Sequence, residues 1–161
     1  MSSMGRTMQA AQWDPKQQKI VVNDLPIPEA GAGQFLVKIS AASLCHSDLM
    51  ALEVLDRQEP VTLGHEGVGV IQKIDAAAEN KGFKVGDTIG FLYIIGACFE
   101  CEACQHHNLL CHTGKQLLQG FTAPGFFAEY AVVDWQNAII LPKNLDVKTS
   151  SPLFCAGITG E

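Results

Sequence analysis

The sequence predicts a mainly β fold with few short helices, arranged as a partly open β-barrel rather than a doubly wound sheet. Three observations carry this. Short alternating or β-branched runs recur along the whole chain. Fifteen glycines and seven prolines break them up. Helical spacing is confined to Ser47–Leu55 and the stretch from Ser150. At 161 residues the chain suits a single domain, residues 1–161, with a sizeable core.

The elements follow in order. Thr7–Trp13 reads as a strand, Asp14-Pro15-Lys16 as a polar turn, and Lys19–Asn23 as the returning strand before Pro26-Ile27-Pro28. Gln34–Ile39 alternates apolar and polar residues as a half-buried strand does. Leu49, Met50, Leu52 and Leu55 carry helical spacing, with Ser47 the expected cap. Gly67–Ile74 is a β-branched strand, Asp75–Phe83 a turn, and Asp87–Tyr93 an apolar strand. Ala128–Val133 and Ala138–Leu141 are short strands, and Ser150–Glu161 opens like a capped helix with Pro152 in its first turn.

Composition removes several function classes. With 47% hydrophobic and 17% charged residues the chain is of the soluble globular type. A net charge of −6 and a pI near 5.3 leave no basic face for nucleic acid. No apolar run approaches the roughly 20 residues of a membrane span; the longest, Phe91–Ala97, is interrupted by Gly96. Met1–Thr7 has one Arg and no apolar stretch of a secretory leader. A cytoplasmic protein with neither nucleic-acid nor membrane partners is expected.

Six cysteines in such a protein point to metal or catalysis rather than disulfides. Cys98-x2-Cys101-x2-Cys104-x6-Cys111 sets four thiolates on one loop. Zinc takes four such ligands tetrahedrally and leaves no position for water, so the expected role is structural, in a zinc lobe at about residues 95–115. A ferredoxin cluster would continue with x3-Cys-Pro, which is absent here. Disulfide pairing, or replacement of one cysteine by His106, His107 or His112, are the other readings of this spacing.

The remaining metal-binding residues gather at Cys45-His46-Ser47-Asp48, Gly64-His65-Glu66 and Cys155. Cys45, His65 and Cys155 would make a Cys₂His site with a fourth position open, the catalytic zinc arrangement. In isolation each of these residues is more often buried structure than ligand.

Taken together, Cys45–Leu49, Gly64–Gly69, Glu79–Asp87, the cysteine loop, Gly125–Tyr130 and Cys155–Thr159 resemble the GroES-like catalytic domain of zinc-dependent medium-chain alcohol dehydrogenases, in their yeast-type branch. The resemblance makes Cys45, His65 and Cys155 the catalytic zinc ligands, and Glu66 a carboxylate just behind the metal. It makes Asp48 the residue orienting His65, and Ser47 the hydroxyl that meets the substrate alcohol and begins a proton relay. His46 matches a basic residue on the cofactor pyrophosphate, and Tyr93 an aromatic wall of the substrate pocket. Asp48 as a helix cap and Tyr93 as a core residue are the structural alternatives.

Departures from the family pattern shape the functional expectation. Gly67-x-Gly69 lacks a third glycine and sits within a strand, so a nucleotide-binding Rossmann domain is absent from the chain. Met50 stands five residues after Cys45, where the longer relay has a histidine, and cannot carry a proton. The last cysteine spacing is x6 where x7 is usual, and Asp75 replaces a small residue in a turn. The expected function is the catalytic domain of an alcohol dehydrogenase with two zinc ions per chain. Joined to a nucleotide-binding domain, it would oxidise a small primary or secondary alcohol to aldehyde or ketone with NAD(P). The competing functions are a non-enzymatic zinc module self-associating as a homo-oligomer through strand edges, and a thiol redox sensor.

Overall fold

The computed structural model describes residues 6–54 and 56–160. Leu55 and Glu161, each expected to end a helix, and Met1–Gly5 of the segment read as leader-free, lie outside the described residues. In chain order the first strands are β1 (Thr7–Asp14), β2 (Lys19–Pro26), β3 (Gln34–Ser43), β4 (Val61–Thr62) and β5 (Glu66–Ile74). They are followed by β6 (Thr88–Phe91), β7 (Ile94–Ile95), β8 (Leu117–Leu118), β9 (Tyr130–Asp134) and β10 (Ala138–Ile140). The α-helices are short: α1 (His46–Val54), α2 (Glu102–His106) and α3 (Ala156–Thr159).

β1 and β2 pair as a hairpin because Asp14 closes the polar turn, its carboxylate accepting the Lys16 and Gln17 amides at 2.9 and 3.1 Å. β4 takes the other edge of β1. A second, antiparallel sheet runs β10-β6-β5-β3-β9, and β7 pairs with β8 at the root of the cysteine lobe. Register shifts after Leu36 and Ile39 bend β3 across β5. Residues 127–129 stitch the two larger sheets together. Ala11 donates to the Phe127 carbonyl at 2.7 Å, Glu129 to Gln9 at 3.0 Å, and Ile39 to Glu129 at 2.9 Å. The result is a curved, partly open β-barrel rather than a parallel sheet.

Its core is the inward side of this wrap: Phe35 and Val37 of β3, Ile71 of β5, Ile89 and Phe91 of β6, Phe126, and Ala131 and Val133 of β9. Burying one such aliphatic or aromatic side chain contributes about 1.5–3 kcal/mol. Gly67 lies under Phe91 and Phe126, and Gly69 against the Lys38 carbonyl. Both are close-packing glycines of β5, which is why they carry no phosphate-binding turn.

Two local expectations are corrected. The helix expected from Ser150 is broken: a 3₁₀ turn spans Ser151–Phe154, Cys155 leaves helical geometry at φ −139° and ψ −77°, and α3 follows. Phe154 causes the break by docking into the core with Val68 and Leu141. The other correction concerns the cap of α1. Asp48 accepts the Cys45 amide at 2.9 Å, whereas the Ser47 hydroxyl oxygen accepts from the Cys45 thiol at 3.8 Å.

Candidate metal centres and active site

His65 is aimed inward by the backbone before it. Gly64 adopts φ +90°, and the Gly125 backbone presses so close that a Cβ there would lie 2.2 Å from the Gly64 carbonyl oxygen. Phe126 then donates to that carbonyl at 2.9 Å. The His65 ring ends 1% exposed, with Nδ1 2.9 Å from Asp48 Oδ1. The Asp48 carboxylate therefore meets both the Cys45 amide just ahead of α1 and the histidine ring.

Three chain segments converge at this histidine. The ligand atoms of Cys45, His65, Glu66 and Cys155 all lie within 4.8 Å of one another. Glu66 opens β5 and takes the Ser43 hydroxyl on its Oε2. Cys155 is presented by the break after Phe154, whose ring occupies the space where a Cβ on Gly90 would sit, 1.7 Å away.

The donor set fits a divalent cation. Nδ1–H directed at Asp48 leaves the Nε2 lone pair as the free one, and Nε2 is buried without a hydrogen-bond partner. Two thiols and a carboxylate surround it, the soft and borderline ligands zinc takes. Electrostatics agree. Burial pushes the Cys155 thiol up to about 12, with Cys45 and Glu66 adding to the shift. Burial opposes charging of His65, yet the Asp48 carboxylate and then the neighbouring Cys45 thiol raise its pKa overall. Donors so close together suppress one another's ionisation, and a cation between them would relieve that.

An aromatic wall stands beside this cluster. Tyr93 meets the His65 ring edge-on at 5.4 Å, and Phe121 tilts against it at 4.9 Å. Burial, then Cys155 and Cys45, raise the Tyr93 pKa, so the phenol is neutral. Tyr93 also packs on the barrel core, as the structural alternative for it has it. Phe121 was not among the expected site residues; it arrives because Gly120 and Gly125 pack on Gly64, with Arg57 holding the Gly120 carbonyl at 3.3 Å. His46 is exposed at the start of α1, and Ser47 is half-buried beside Cys45.

The four loop cysteines form the second cluster. The Cys98 sulfur lies 3.5 Å from that of Cys111 and 3.9 Å from that of Cys104. All six cysteines are free. These separations are far beyond the roughly 2.05 Å of a disulfide. They match the about 3.8 Å expected between sulfurs sharing a tetrahedral zinc at 2.3 Å. The Cys98 amide points at the Cys111 sulfur and the His112 amide at that of Cys101, both at 3.4 Å. The x6 spacing thus still lets the sulfurs converge. His112 contributes its backbone amide and His107 accepts the Leu109 amide, and the ligand atoms that group together are those of the four cysteines.

The family profile described as alcohol dehydrogenase GroES-like domain matches residues 31–143. The chain belongs to this family. Within the GroES-like family, alcohol dehydrogenase 2 of Emericella nidulans is 33% identical over an alignment of 163 residues, covering 90% of this chain and 44% of that protein. The alcohol dehydrogenase of Aeropyrum pernix superposes with a TM-score of 0.81 at 28% identity, covering 94% of this chain and 45% of that one. A candidate zinc-binding dehydrogenase of Sinorhizobium meliloti, solved with NADP, gives 0.75 at 30% identity, over 91% and 42% of the two chains. This GroES-like chain thus spans under half the length of the relatives it matches. No helix among its described residues is long and apolar enough to cross a membrane.

Proposed function

We propose that this chain is the catalytic half of a zinc-dependent, NAD(P)-linked alcohol dehydrogenase. It forms one domain over residues 1–161, works in the cytoplasm on small alcohols or aldehydes, and relies on a nucleotide-binding domain for the cofactor. The observation that carries the proposal is the unpartnered, buried Nε2 of His65 among Cys45, Cys155 and Glu66, with Asp48 fixing the other ring nitrogen.

In this reading Cys45, His65 and Cys155 hold a catalytic zinc, and Cys98, Cys101, Cys104 and Cys111 a structural one. Bound zinc supplies Lewis acidity that eases deprotonation of the substrate hydroxyl. Ser47 receives that proton at its Oγ and passes it to water or a cofactor hydroxyl, since Met50 offers no onward acceptor. Tyr93 and Phe121 exclude water from one side of the reacting carbon and orient the alcohol. His46, exposed beside the site, attracts the cofactor pyrophosphate. With a nicotinamide cofactor supplied by the other domain, the alcohol would give a hydride to it and a proton to the relay, which balances oxidation to aldehyde or ketone.

The test has two parts. Metal analysis of the purified chain should return two zinc per chain, falling to one in Cys45→Ser. Expressed in fusion with a nucleotide-binding domain, the chain should reduce NAD or NADP in the presence of primary or secondary alcohols. Two bound zinc ions without turnover in that fusion would instead favour a non-enzymatic zinc module.

A further inference from the structure

We infer that Ser43 is a positioning residue that draws Glu66 away from the fourth coordination position of the open metal site and so keeps that position available to a substrate oxygen. The inference rests on the reading of Cys45, His65 and Cys155 as zinc ligands.

Glu66 is the ambiguous member of the cluster. Its carboxylate lies in the same 4.8 Å group as the two sulfurs and the imidazole nitrogen. It is 2% exposed, so solvent does not compete for its oxygens. A carboxylate is an ordinary zinc ligand, and a fourth protein ligand would close this site as four sulfurs close the lobe. By proximity alone Glu66 qualifies as that ligand.

Ser43 supplies the competing interaction. It is the Cα partner of Glu66 in the antiparallel pairing of β3 and β5, so the sheet itself sets their relative position. Its hydroxyl donates to Glu66 Oε2. A buried carboxylate deprived of this donor must find another, and the nearest positive partner would be the metal. In this reading the Ser43 hydroxyl, by holding Oε2, biases the site toward the open geometry.

The experiment uses the intact chain loaded with cobalt(II), whose visible absorption reports coordination, and titrates it with imidazole. Only a site with a free position responds; the four-cysteine lobe stays silent and its own bands report folding. The native chain should take two cobalt ions and shift its spectrum with imidazole. Ser43→Ala should weaken imidazole binding by about 10-fold or more and make the open site release cobalt to a chelator more slowly. A purely structural loss would speed that release instead. Ser43→Thr, which keeps the hydroxyl, should behave as native. Ser43→Ala combined with Glu66→Gln should regain imidazole binding, because an amide is a poor zinc ligand. Ser43→Gly repeats the test if the alanine variant loses the lobe bands. Unchanged imidazole affinity in the hydroxyl-less variants overturns the role of Ser43 while leaving the open site standing. Uptake of one cobalt by the native chain overturns the open-site reading and this inference with it.

Discussion

Asp48 Oδ1 lies 2.9 Å from His65 Nδ1, and the other oxygen of the same carboxylate accepts the Cys45 amide at 2.9 Å. One side chain thereby sets the direction of two proposed zinc ligands that are twenty residues apart in sequence. Asp48→Asn keeps an oxygen for the Cys45 amide but no longer favours the tautomer that leaves Nε2 free. Zinc affinity at the open site should fall about 10- to 100-fold, read by chelator competition, while the four-cysteine lobe retains its metal. Asp48→Ala should add about 1–3 kcal/mol of destabilisation from the unsatisfied amide and imidazole. Equal zinc affinity in the asparagine variant would remove Asp48 from the site.

Gly90 tests how Cys155 is placed. The Phe154 ring occupies the volume a side chain at Gly90 would need. Gly90→Ala must push that ring out of its contact with Val68 and Leu141, and with it the cysteine next in sequence. The expected outcome is about 1–3 kcal/mol lost to overpacking and a fall from two zinc to one. Two retained zinc ions would show that the 151–160 segment reaches the site without this anchor.

The barrel strands were legible wherever side-chain alternation or β-branching ran for several residues. Gln34–Ile39 and Gly67–Ile74 fall within β3 and β5. β4, β7 and β8 were not, because a two-residue strand has no period and exists only through its distant partner. The split at Cys155 was hidden for the same reason: Ser150-Ser151-Pro152 is a sound helix opening, and the core contact of Phe154 overrides it. In the sites, closely spaced cysteines announced themselves, whereas Cys45, His65 and Cys155 were grouped by residue type alone, with no spacing to link them. Phe121 and Ser43 left no local signal, since one is carried by glycine packing and the other by strand register.

Asp75 gives a pH-dependent prediction away from either metal site. The amides of Gly33 and Ala77, both at 2.9 Å, hold its carboxyl below the usual range. A folded pKa below the unfolded one stabilises the native state fully above about pH 4, and that contribution fades as pH falls through the lowered value. Asp75→Asn should therefore melt below the native chain at neutral pH, and the gap should narrow steadily on acidification below pH 4. A gap independent of pH would mean that the turn does not depend on the charge.

The cysteine lobe should unfold separately from the barrel. Its buried apolar cluster holds only Ile94, Ala97 and Cys111, against the larger core around Phe35, Phe91 and Phe126. A structural zinc supplies on the order of 10 kcal/mol or more of apparent binding free energy, which such a small cluster cannot replace. Without metal, burial and then the neighbouring Cys101 and Cys111 push the Cys104 thiol up to about 12. The Thr113 hydroxyl and then the Cys98 amide draw Cys111 down to about 6. Binding zinc must expel the Cys104 proton, so retention by the lobe weakens as pH falls and strengthens as it rises. Cys104→Ser should bind one zinc fewer and become sensitive to trypsin at Lys115, while far-ultraviolet circular dichroism of the sheets persists. Loss of that sheet signal would show instead that β7 and β8 transmit the lobe's collapse into the barrel.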